Sequence, residues 1–323
     1  GNQFFFTAND GLSGEEPYVS NGTDAGTFLL KDIRPGTQSS IPDLVNATSF
    51  SGFAAINNKV VFAASDGTTG LELWVSDGST NGTVLLKDIQ PGSGGSAPSA
   101  FFVWENRLLF SASTSTNGRE LWITDGTTDG TVLLKDIYTN QASGSSNPEG
   151  FAVLGNRVYF AASTHDTGRE LWVTDGTPTG TLLFKNIVPE TSWWINLFSS
   201  NPTGMYAFEG KLYFEANGDM SGNNRELWIS DGTDAGTVLV KDINPLPDGN
   251  SYPAEFTGYN NKVYFRADDG SNGQELWVTD GTTNGTKMVK DLLPGAPGAG
   301  PTNFFVFNNR LCFVAYNQLF GYF

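Results

Sequence analysis

Glu170-Leu171-Trp172-Val173-Thr174-Asp175-Gly176 decides the fold, because it does not stand alone. Close copies begin at Glu72, Glu120, Glu226 and Glu275, so the intervals along the chain are 48, 50, 56 and 49 residues. A weaker copy, Glu16-Pro17-Tyr18-Val19-Ser20-Asn21-Gly22, lies at the front, and Gln318-Leu319-Phe320-Gly321 is a further one at the back. Self-similarity at a period near fifty residues marks an architecture of stacked, equivalent units.

Around the phrase, each unit repeats one order. An aromatic run such as Phe101-Phe102-Val103-Trp104 meets a short turn at Glu105-Asn106, and a second run follows at Arg107-Leu108-Leu109-Phe110. The Glu-Leu-Trp segment comes next, then an Asp-Gly-Thr turn, then Val132-Leu133-Leu134-Lys135-Asp136-Ile137. Asn and Gly fall where tight hairpins need positive φ, so each unit reads as four short antiparallel strands, here a to d. The strands are almost continuously apolar rather than alternating, which is the pattern of sheets covered on both faces. Radially packed blades meet that demand, whereas a linear β-solenoid has a shorter period.

The expected fold is therefore all-β, a β-propeller of four-stranded antiparallel blades forming one domain over 1–323. Its units run approximately over 1–49, 50–100, 101–150, 151–204, 205–255, 256–303 and 304–323, the last partial. Counting b strands predicts seven blades, with strands b, c and d from Gly1–Asp32 and a, b and c from Asn303–Phe323. Six blades is the alternative, if strand a at Phe304–Phe307 completes the first unit. The chain opens without Met inside a strand-like run, so an earlier segment is expected to have been removed, and such a segment could supply the missing strands a and d.

The form Glu-Leu-Trp-x-x-Asp-Gly-Thr-x-x-Gly-Thr at 170–181 and 275–286 resembles the ELWxxDGT repeat of large secreted and surface proteins of bacteria. The resemblance spans essentially the whole chain. It implies a propeller and an extracellular or cell-surface location, and it implies no particular activity or ligand. The first unit departs from the pattern, with Pro17-Tyr18 for Leu-Trp and Asn21 for Asp.

A residue present in every unit is expected to serve the shared fold. The Asp of each turn suits N–H capping, the Trp suits filling between blades, and the Glu opening strand c suits backbone capping or a ring of salt bridges. A ring of carboxylates at a cation-binding mouth is the functional alternative for that Glu. Unshared features are the better candidates for function. The insertion at 188–198 carries adjacent Trp193 and Trp194, suited to stacking on a sugar or burial in a protein partner. It is expected on the face of the b–c loops, where Asp166 and Asp219 join it as candidate ligand-binding residues. In another such loop Asp268, Asp269 and Asn272 have the oxygen-rich composition of a Ca2+ site, without the spacing of an EF-hand.

Composition narrows the class. A net charge of −16 and 34 acidic against 18 basic residues argue against a nucleic-acid partner, which requires clustered cations. No apolar run is long enough to cross a bilayer as a helix, so membrane insertion is not expected. One histidine, His165, and one cysteine, Cys312, cannot furnish a His-based triad or a His/Cys metal centre. The first is expected at the surface without a partner and the second as a buried apolar residue. These readings converge on a non-catalytic structural or binding module with a protein or glycan at the loop face, alone or within a larger chain or assembly. A lectin-like propeller and a glycoside-processing enzyme with two acids are the alternatives.

Overall fold

The computed structural model describes all residues except 1–2, 42–51, 141–142, 189–198, 220–221, 296, 318–320 and 323. The described residues form antiparallel sheets in strict chain order. Sheet 1 holds strands b, c and d at Phe4–Asn9, Glu15–Ser20 and Thr27–Leu29. Sheet 2 holds a to d at Ala54–Ile56, Lys59–Ser65, Leu71–Ser76 and Val84–Lys87. Sheet 3 follows with Ser99–Trp104, Arg107–Thr114, Gly118–Thr124 and Val132–Lys135. Sheet 4 has Glu149–Leu154, Arg157–Thr164, Gly168–Thr174 and Leu182–Lys185. Sheet 5 has Thr203–Phe208, Lys211–Asn217, Arg225–Ser230 and Val238–Lys241. Sheet 6 has Ala254–Tyr259, Lys262–Asp268, Gln274–Thr279 and Lys287–Lys290. Sheet 7 has strands a and b, Thr302–Phe307 and Arg310–Val314, and a small hairpin of Tyr316–Asn317 with Gly321–Tyr322 ends the series.

This all-β series of seven repeated sheets is that of the blades of a β-propeller, as the spacing of the Trp phrase predicts. The six-blade alternative is corrected: Thr302–Phe307 pairs with its own strand b, Phe305 opposite Cys312, rather than with the first unit. The chain divides into two compact units, Gly1–Glu149 with sheets 1 to 3 and Gly150–Phe323 with the body of sheets 4 to 7.

Register follows from the sequence. In strand b one Phe faces the Trp of strand c, as Phe62 with Trp74, Phe110 with Trp122 and Phe265 with Trp277, and sheet 1 keeps the position as Phe6 with Tyr18. The a–b turns are two-residue hairpins. Asn57-Asn58 and Asn260-Asn261 place both residues at positive φ, which asparagine tolerates and which matches the twist of the strands. The same need recurs at a bulge near the start of strand a, met by Gly204 in one sheet and by Ala100 and Glu255 in two others.

The core lies between consecutive sheets. Trp122 of sheet 3 joins Leu73, Val75, Leu86 and Ile89 of sheet 2 in one cluster. Trp277 of sheet 6 does the same with Leu227, Ile229, Val240 and Ile243 of sheet 5. Trp122 and Trp277 are thus each buried against the sheet before their own. Lysines at the end of strand d add a polar tie: Lys87 Nζ donates to the Thr131 carbonyl at 2.7 Å and Lys241 Nζ to that of Thr286 at 2.8 Å.

Candidate functional site

The recurrent glutamates are the most uniform feature of the molecule. Glu72 opens strand c with its side chain fully buried. Its Oε2 accepts the Ile89 N–H at 3.0 Å and the Ser96 hydroxyl at 2.6 Å, while Oε1 accepts the N–H groups of Gln90 at 3.0 Å and Ser96 at 2.8 Å. All four donors belong to the connection that leaves strand d for the next sheet. Glu16, Glu120, Glu170 and Glu226 repeat the arrangement with Ser40, Ser146, Ser200 and Ser251. Glu275 keeps only the backbone donors, because Ala299 stands where the serine would be. The carbonyl of the same serine accepts an N–H from strand b of the next sheet, as from Ser113 to Ser96 at 2.8 Å and from Asn217 to Ser200 at 2.7 Å. Of the readings held open for these glutamates, backbone capping describes these bonds and the salt-bridge ring does not. A buried carboxylate needs such donors, since an unpaired one is too costly to bury. Burial still outweighs the donors and pushes Glu120, Glu170 and Glu226 up to about 7.

In the Asp-Gly turns one carboxylate oxygen is used in a similar way. Asp125 Oδ1 accepts the Thr127 N–H at 2.9 Å and its hydroxyl at 2.7 Å, Gly126 takes φ +85°, and Thr127 Oγ1 accepts the Gly130 N–H at 3.0 Å. The hydroxyl of the following Thr or Ser is the chief cause that holds Asp77, Asp125, Asp175, Asp231 and Asp280 below the ordinary aspartate value. The recurrent Trp rings are held by packing, for Trp74, Trp122, Trp172, Trp228 and Trp277 all bury an Nε1–H without a hydrogen-bond partner.

The loop face brings b–c loops beside the connections between sheets, as the Ser113-to-Ser96 bond requires. Asp166 is exposed and bonds to His165, Oδ1 to Nδ1 at 3.0 Å. That corrects the expectation of a histidine without a partner. Asp219 Oδ2 accepts the side-chain amide of Asn224 at 3.0 Å. Asp269 Oδ1 accepts the N–H groups of Ser271 and Asn272, its Oδ2 accepts the Asn272 amide at 2.8 Å, and Asp268 Oδ1 accepts the Gly270 N–H at 2.7 Å. Partial burial opposes ionisation of Asp269, but the Asn272 and Ser271 donors together hold its carboxyl below the ordinary value. These oxygens close their own turn. Among the described residues no group of three or more His, Cys, Asp or Glu is arranged to hold a metal ion. Trp193 and Trp194 lie outside the described residues.

One unshared polar cluster escaped the sequence reading. In sheet 5 Glu215 of strand b bonds to Arg225 Nε of strand c and accepts the Thr203 hydroxyl at 2.7 Å. Other sheets carry Ser111 or Ala161 at the Glu215 position, so an unmatched acid in an apolar strand was the available signal. Cys312 is half-buried rather than buried, a further correction; among the described residues sheet 7 pairs only strands a and b.

No family model matches the chain, and no curated protein matches it significantly. A solved structure described as a structural and mechanistic analysis of two prolyl endopeptidases aligns with a TM-score of 0.46 at 11% identity, over 97% of this chain. The chain spans 45% of that protein's length.

Proposed function

We propose that the chain is a non-catalytic binding module of an extracellular or cell-surface protein, which presents its b–c loops and the adjoining connections to a protein or glycan partner. The observation that carries this reading is the consumption of the recurrent polar residues. Six buried glutamates use both carboxylate oxygens, and five turn aspartates use Oδ1, to accept N–H and hydroxyl donors of their own repeat. Chemistry built on those positions would break the fold that displays it. Loops positioned by a rigid scaffold are where binding residues concentrate, and the sequence pattern selects Trp193, Trp194, Asp166 and Asp219 there.

The test measures turnover and binding together. The full chain is incubated with a panel of nitrophenyl glycosides and with casein, and its binding to coated polysaccharides and matrix proteins is measured in parallel. The reading expects saturable binding that a Trp193→Ala/Trp194→Ala double substitution weakens at least tenfold, with no turnover. Turnover that disappears in Glu215→Gln would replace it with an enzymatic one.

A further inference from the structure

The apolar contacts between consecutive sheets enclose polar atoms of a matched kind. Where sheet 3 packs on sheet 2, Trp122 Nε1–H and Asp88 Oδ1 are both closed to solvent, and neither has a hydrogen-bond partner among the described residues. They belong to one contact, for Trp122 shares a cluster with Leu86 and Ile89, which lie on either side of Asp88 in the chain. The pairing recurs. Trp74 Nε1 and Asp32 Oδ1 are both orphaned where Trp74 clusters with Ile33, and Trp228 Nε1 and Asn186 Oδ1 where Trp228 packs against the cluster of Ile187 and Val188. Each of these three interfaces therefore seals one spare donor, on the Trp of strand c, and one spare acceptor, just beyond strand d of the sheet before. Buried groups of both kinds are rarely left without a partner, and ordered water is a common one.

We propose that each of the three interfaces binds one water molecule, which accepts the Trp Nε1–H and donates to Oδ1 of the preceding Asp or Asn. The two orphaned atoms dictate the ligand. A metal cation cannot accept the N–H, and an anion cannot donate to the carboxylate, whereas water does both and is small enough for a packed interface. Asn186 points the same way, because a neutral amide in the aspartate slot keeps the acceptor and discards the charge that a cation would need. Sheet 6 supplies a contrast: Trp277 Nε1 is buried and unpartnered as well, but Asp242, which precedes it, is exposed, so that interface offers no sealed acceptor. The bridge places a directional bond inside an apolar contact and fixes how the indole lies against the neighbouring sheet. It is separate from the loop face and independent of the function proposed above.

The test measures magnetisation transfer from water to the indole protons in the full chain, deuterated and 15N-labelled at Trp. Rotating-frame spectra should show a water cross peak at Hε1 of Trp74, Trp122 and Trp228, with the sign that marks proximity rather than proton exchange, and one at least threefold weaker at Trp277. Asp88→Leu should abolish the Trp122 peak and leave that of Trp228, and Asn186→Leu should do the converse. Asp88→Asn, which keeps Oδ1, should retain the Trp122 peak. The proposal is overturned by the absence of these peaks in the unsubstituted chain, by a Trp277 peak of equal strength, or by a Trp122 peak that survives Asp88→Leu. Loss of the Trp122 peak in Asp88→Asn would overturn it too, since charge and not an acceptor would then be the requirement. Should Asp88→Leu fail to fold, the unsubstituted chain and Asp88→Asn still decide.

Discussion

Glu170 shows how one side chain is balanced between two demands. It accepts the Ile187 N–H, the Ser200 N–H and the Ser200 hydroxyl inside a site closed to solvent. Glu170→Ala leaves these donors buried and unpaired, at a cost of about 3 kcal/mol that urea unfolding would register as a lower midpoint. The same burial fixes a pH dependence. Glu120, Glu170 and Glu226 titrate near 7 in the folded chain, against an ordinary value of 4.5. Between those values the folded chain holds protons that the unfolded chain has released, so stability rises as pH falls through that window. The turn aspartates act in the opposite sense, because values below 3.8 mean that their stabilisation is lost as pH drops further. Melting temperatures at about pH 8, 6, 4.5 and 2.5 should therefore pass through a maximum on the acid side of neutrality. A steady fall from pH 8 to 4.5 would show that the donors, and not burial, dominate these carboxyls.

At the scale of the element, the c–d turn works as a coupled set. A Cβ on Gly130 would stand 2.1 Å from Asp125 Oδ1, although Gly130 itself has no positive φ. Gly130→Ala should expel the aspartate from its cap and cost about 1–2 kcal/mol, much of the loss given by Asp125→Ala. In the double variant the costs should fall well short of their sum, by at least about 0.5 kcal/mol in a double-mutant cycle, and additivity would refute the coupling. This turn was legible in the sequence because every participant is a side chain or glycine at a fixed offset. The four strands and the packing role of Trp were legible for the same reason. The partners of the strand-c glutamates were not, for they are mostly backbone N–H groups 17 to 30 residues downstream, which any residue but proline can supply. Only the hydroxyl of Ser96 and its counterparts leaves a trace. The Asp268-Asp269 loop shows the converse, since its oxygen-rich composition serves the turn in which it lies.

For the whole chain, the excess of acids sets the response to salt. With a net charge of −16 and several lysines already engaged with neighbouring carbonyls, repulsion among the exposed carboxylates opposes the compact state. Raising sodium chloride from about 10 mM to about 150 mM shortens the screening length and should raise the melting temperature before levelling off. An unchanged or falling midpoint would mean that the surface charges are already well separated. The count of sheets was readable at this scale from the period alone. A pocket beside Phe4 was not, because a cavity depends on which side chains meet across two sheets.

The glutamate clasp also bears on how such a chain changes length over generations. Sheets within each unit that meet do so through the same donors and acceptors, written within one period of sequence. Unequal crossing-over between any two Glu-Leu-Trp phrases would splice half of one sheet to half of another and still restore a matching set of bonds. A gene of this kind can gain or shed a repeat in one recombination event, with no new interface for selection to invent.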